Sequence, residues 1–186
     1  MQVVGVNGSG RADCNTAVLV KAILEGAAEA GAQTHLLQLA DMKIAGCDSS
    51  RLCKKLHRCT IRDDMDRFYD LAPDTDVIVL TSPIYLDHIT GQMMSFFQRT
   101  YCYLGLDLEN YWPRRNVRAV LGLTYNADEP DRYDFVLDWL ASRLDFYYQI
   151  PTIARFKVWG TQRDVYITPD HPEVRRAHEF GRTLKA

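Results

Sequence analysis

The chain has no apolar run approaching the roughly 18 residues that a membrane-spanning helix needs. No basic segment and no apolar signal core stand ahead of residue 2, so a secretory leader is not expected. Neither sign of charge is in excess. The 22 Lys and Arg face 24 Asp and Glu, a net charge of −2. That balance points away from nucleic acid and from an anionic membrane surface as partners. Cysteine is scarce and odd in number, at five, which suits a reducing compartment better than a disulfide framework. A cytoplasmic location is the expectation. No Gly-Lys pair occurs, so the Walker phosphate loop is excluded. Gly8 and Gly10 are not followed by a glycine at residue 13, so the dinucleotide fingerprint fails as well. Internal repeats and low-complexity linkers are also missing.

What remains is an ordinary globular composition, with 47% apolar and 25% charged residues over 186 positions. One domain over residues 1–186 is expected. The N-terminal stretch carries the clearest signal. Residues 2–6 are a short β-branched run, and Ala17-Val18-Leu19-Val20-Lys21-Ala22-Ile23-Leu24 has helical character. Between them lies Asn7-Gly8-Ser9-Gly10-Arg11-Ala12-Asp13-Cys14-Asn15-Thr16. Glycines let backbone N–H groups turn inward, and the helix that follows adds free N–H groups and a positive dipole end. Ser9 and Thr16 offer hydroxyls, and Arg11 offers a permanently charged fork. The combination makes a nest for one phosphate.

The rest of the chain alternates. Strands are predicted at 2–6, 33–39, 76–81, 117–124 and 152–159, and helices at 15–30, 63–72, 88–104, 131–148 and 171–184. Asp63 and Asp64 are placed to cap the second helix. Five strands and five helices in alternation imply an α/β fold, a parallel sheet covered on both faces. The expected order is 2-1-3-4-5, with ligand at the carboxyl ends of strands 1 and 3.

The first loop resembles the G-S-x-R-x-x-x-N-T loop of the flavodoxin-like NAD(P)H-dependent FMN reductase family, through Gly8, Ser9, Arg11, Asn15 and Thr16. There the loop holds the FMN phosphate. The stretch Ser82-Pro83-Ile84-Tyr85 is similar to the family's S-P-x-Y segment, which lines the flavin ring. Phe96-Phe97-Gln98-Arg99 is similar to its K-x-F-x-D-R segment, with lysine and aspartate replaced. The resemblance implies FMN as cofactor and a nicotinamide nucleotide as co-substrate. It also implies a homodimer or homotetramer. The cofactor-contacting set it implies is Ser9, Gly10, Arg11, Cys14, Asn15 and Thr16 from the first loop. From the loop after strand 3 come Pro83, Ile84, Tyr85, Leu86 and His88, and from the loop after strand 4 come Thr124, Tyr125 and Asn126. No protein acid or base is required for a hydride step, so no catalytic residue is assigned. A flavodoxin-type electron carrier is the alternative. Net charge and Arg11 argue against it, and a flavin-binding interaction protein is a third reading.

Residues 46–65 resemble the cluster segment of iron–sulfur flavoproteins, whose spacing is C-x2-C-x2-C-x(4–7)-C followed by an acidic pair and methionine. Cys47, Cys53 and Cys59 fall on the first, third and fourth positions, Ser50 stands at the second, and Asp63, Asp64 and Met65 follow. A serine oxygen is a poor substitute for thiolate on such a cluster. His57 could in principle complete a Cys3His zinc site. The expectation is a segment without metal. Cys14 and Cys102 also suit small packed positions. Arg114 and Arg115 could meet a nucleotide phosphate or form a solvated turn.

Overall fold

The computed structural model describes residues 1–161 and 166–185. Its long strands are β1 (Gln2–Asn7), β2 (Gln33–Gln38), β3 (Val77–Tyr85), β5 (Arg118–Thr124) and β6 (Thr152–Val158). They form a parallel sheet in the order β2-β1-β3-β5-β6. This is the expected flavodoxin-like order, in which the chain reverses direction across the sheet between β1 and β3. A sixth strand departs from expectation. β4 (His88–Ile89) folds back antiparallel on β3, with Tyr85 opposite His88 and Ile84 opposite Ile89.

The three central strands β1, β3 and β5 are apolar on both faces because helices cover both, and the side chains sort by the period of two. Val3, Val77, Val79 and Val120 face α1 (Asn15–Glu29) and α6 (Pro172–Thr183). Val4, Val6, Ile78, Leu80, Ala119 and Leu121 face the other way. Against them pack α3 (Asp66–Leu71), α4 (Gly91–Arg99) and α5 (Asp134–Tyr148). A further short helix, α2 (Cys53–Leu56), lies inside the cysteine segment. Among the described residues no helix is long and apolar enough to cross a membrane.

Three expectations need correction. The helix predicted from residue 88 begins at Gly91, because residues 88–89 are taken by β4 and Thr90 caps α4 by accepting from the Met93 amide. Residues 100–103 continue as a 3-10 turn. Asp63 and Asp64 do not cap α3, whose cap position is Met65. Their carboxylates bind the amides of Ala45 (2.9 Å) and Lys43 (2.7 Å), closing the loop that precedes the helix.

Candidate functional site

The first loop is wired from three sides. Gly8 passes so close to α4 that a β-carbon there would press on Met93 and on the Thr81 carbonyl. Its amide donates to the Thr81 carbonyl at 2.7 Å, and its carbonyl accepts from the Thr90 hydroxyl at 2.5 Å. Asn7, at the end of β1, accepts from the Ser9 amide and donates to Gln38 Oε1 at 2.8 Å. Gln38 in turn donates to the Arg11 carbonyl. The Arg11 amide donates to Ser9 Oγ at 3.1 Å. Cys14 is the cap of α1, its Sγ accepting from the Ala17 amide at 3.4 Å.

This wiring leaves donors over. Among the described residues, the backbone N–H groups of Gly10, Ala12, Asp13, Cys14 and Thr16 donate to nothing, and the exposed Arg11 guanidinium has no partner. They stand at the N-terminus of a 15-residue helix with no acidic residue in its first turn. Unspent amides, a positive helix end and a free guanidinium together suit an anion with several oxygens.

The anion nest opens into a cleft of ≈ 500 Å³, inside the range of about 300–1,000 Å³ for small-ligand sites. Its walls are Ser9, Arg11, Cys14, Asn15 and Thr16 below, Pro83, Ile84 and Tyr85 from the end of β3, Thr124, Tyr125 and Asn126 from the end of β5, and Thr161. The two walls are tied together where the Thr16 and Thr124 hydroxyls meet at 2.8 Å, both buried. Asn15 Oδ1 accepts from the Ile167 amide at 2.8 Å, which brings the chain ahead of α6 down onto the loop.

Three residues expected at the site are not in its walls. Gly10 faces the Gln92 side chain. Leu86 and Asp87 are the two central residues of the β3–β4 hairpin, both with positive φ (48° and 59°), as a tight primed turn requires. The Leu86 side chain therefore stands in solvent at the tip. His88 turns under the hairpin and meets Trp139 edge-on at 4.9 Å. Tyr85 remains half-exposed at the mouth. Tyr125, expected among the cofactor-contacting residues, is only 3% exposed. Its ring packs edge-on against Tyr133 at 5.0 Å, and its hydroxyl donates to the Pro130 carbonyl. Burial raises the Tyr125 phenol above its usual pKa, so it stays neutral near pH 7. Thr161 escaped the sequence reading because no motif surrounds it. Its place follows from Thr161 donating to the Tyr125 carbonyl through both N–H and hydroxyl, at 3.0 Å each.

Arg114 and Arg115 lie at the opposite ends of the strands. Arg114 pairs with Asp76, just ahead of β3. Neither lines the cleft.

An open parallel sheet in the order β2-β1-β3-β5-β6 with a cleft at its switch point defines a flavodoxin-like α/β protein. Residues 1–127 match the NADPH-dependent FMN reductase family, and the chain belongs to it. It is thus a member of a family of FMN-dependent oxidoreductases. It is 33% identical over 111 residues to an iron–sulfur flavoprotein of Methanocaldococcus jannaschii, a match covering 59% of this chain and 58% of that protein. The chain spans, then, little more than half the length of that relative. An iron–sulfur flavoprotein of Methanosarcina thermophila is 28% identical over 142 residues, covering 75% and 73% of the two chains. Among solved structures, an NAD(P)H:quinone oxidoreductase from Methanothermobacter marburgensis superposes with a TM-score of 0.76 at 14% identity, over 100% of this chain and 99% of that one. An FMN-dependent NADH-azoreductase from Bacillus anthracis, in complex with FMN, gives 0.62 at 14% identity over 98% and 96%. At such identities the likeness is one of fold.

Proposed function

We propose that this chain binds FMN in the cleft and catalyses NAD(P)H-dependent reduction of a second acceptor. The observation that carries this is the set of unspent amides at Gly10, Ala12, Asp13, Cys14 and Thr16, with the Arg11 guanidinium, beside a cleft walled by the ends of β3 and β5. The residues present suit FMN. Five free amides and Arg11 match one terminal phosphate, and the close approach at Gly8 keeps the loop's path fixed. FMN, bound there, would supply the hydride-accepting redox chemistry.

The chain's own part is to bind and orient. The Arg11 guanidinium and the amides of Gly10, Ala12, Asp13, Cys14 and Thr16 hold the phosphate. The Thr16–Thr124 hydroxyl pair keeps one O–H available, since only one of the two can donate to the other. Pro83, which has no N–H, and Ile84 form the wall beside the ring, and Tyr85 flanks the entrance where a nicotinamide would stack. The exposed Tyr85 and Leu86 at that entrance favour a homodimer or homotetramer in which a neighbouring copy covers them. The test is binding of flavins to the purified chain followed by fluorescence quenching. FMN should bind well ahead of riboflavin. Equal affinity for the two would remove the role assigned to the nest. FAD, whose flavin phosphate is joined to AMP in a pyrophosphate, should bind weakly.

A further inference from the structure

The iron–sulfur flavoproteins among the relatives carry a cluster by name, and residues 46–65 resemble their cluster segment. A four-iron cluster needs four soft donors facing one point. The donors of this chain do not meet that need. The second position is Ser50. Cys47 is exposed, whereas Cys53 and Cys59 are buried, each 9% exposed, inside the apolar core beside Cys102. Among the described residues, no three His, Cys, Asp or Glu side chains come together as a metal site would require.

Something else organises the segment. The Arg99 side chain at the end of α4 is wholly buried and reaches into the loop. It donates to both oxygens of Asp63 (2.6 and 3.1 Å), to the Ala45 carbonyl (2.9 Å) and to the Ile61 carbonyl (3.1 Å). Asp63 also accepts from the amides of Ala45 and Met65. One guanidinium thus joins both ends of the loop. In its middle, the Lys54 ammonium donates to the carbonyls of Tyr101 (2.6 Å) and Leu104 (2.7 Å). His57 stacks on Tyr111 at 3.8 Å.

We propose that the cysteine segment of this chain is a metal-free brace, closed by Arg99 and Asp63, in place of an iron–sulfur site. On the oxidoreductase reading above, this leaves no metal outlet for electrons in the segment, and an acceptor would draw its electrons from the flavin in the cleft itself. The brace and its test do not depend on that reading.

The test uses the full chain, prepared anaerobically, incubated with ferrous iron and sulfide and then desalted. The expected result is that wild type and Cys53→Ala retain the same low iron, with no cluster signal in electron paramagnetic resonance after dithionite. Stoichiometric iron and sulfide in wild type, lost in Cys53→Ala, would overturn the proposal. Limited proteolysis within residues 43–62 gives a second readout. Chelator should leave wild-type cleavage unchanged, and a chelator-induced increase would count against the brace. Cys47→Ala should cleave like wild type. Asp63→Asn should cleave on the order of tenfold faster or more, because it leaves the buried guanidinium without its carboxylate. An unchanged rate in Asp63→Asn would refute the clamp. Flavin affinity, measured on the same samples, reports separately on the cleft.

Discussion

Arg11 and Arg99 show one residue type put to two uses. The Arg11 guanidinium is exposed and has no partner among the described residues, so its five N–H donors are free for a ligand. Arg99 is buried, and its two terminal nitrogens are spent on the loop. Arg11→Ala should therefore leave folding unchanged and weaken FMN by about 1.5–3 kcal/mol, the range for a hydrogen bond to a charged group. Riboflavin, which has no phosphate, should bind the variant as it binds wild type. Calorimetric titration of both flavins checks this. The opposite arginine shows itself in stability. Burial pushes the Asp63 carboxyl up, but the Arg99 guanidinium and the amides of Ala45 and Met65 outweigh it and hold the group below its ordinary value. A carboxyl depressed in the folded state stabilises fully above its unfolded pKa of about 3.9 and loses that contribution as pH falls through the folded value. Urea midpoints measured downward from about pH 4 should fall less steeply in Asp63→Asn than in wild type. Identical slopes would mean that the clamp carries no linked proton.

At the scale of elements, the approach of α1 to α6 is set by two glycines. A β-carbon on Gly26 would collide with the His178 carbonyl, and one on Gly181 with the Ile23 carbonyl. Helix propensity alone favours Gly26→Ala by about 1 kcal/mol. The collision is with backbone, which cannot turn aside, so the variant should be less stable by about 1–3 kcal/mol net. A thermal melt decides the sign. Neither glycine announces this in the sequence, because each sits inside an ordinary amphipathic pattern and the partner lies more than 150 residues away. The same limit explains the other misses. β1, α1 and the loop between them were legible because the phosphate loop is local and its residue types are chemically specific. β3 and β5 were legible as buried apolar runs. The β3–β4 hairpin was not, since Leu86-Asp87 lacks the Asn or Gly that marks a primed turn, and residue 88 read as a helix start. Asp63 looked like a cap because capping is judged from neighbours in sequence, whereas its partner Arg99 is 36 positions on. Eleven of the expected site positions do line the cleft, because three loops at the same end of a parallel sheet must meet.

On the scale of the whole molecule, the two ends of the sheet differ. The carboxyl end carries unspent amides, Arg11 and an open cleft. At the amino end Arg114 is already paired with Asp76. The proposed site for a phosphate-bearing ring thus lies at the switch point between β1 and β3, where the fold leaves a cleft. The buried clamp at Asp63 and Arg99 keeps the cysteine segment on α4. The most direct test of the account is an anaerobic titration of the FMN-loaded protein with NADH and with NADPH, followed through the visible absorption of the flavin. The account predicts stoichiometric bleaching by at least one of the two nucleotides. Flavin that stays oxidised with both, yet bleaches with dithionite, would contradict it and leave an electron carrier in its place.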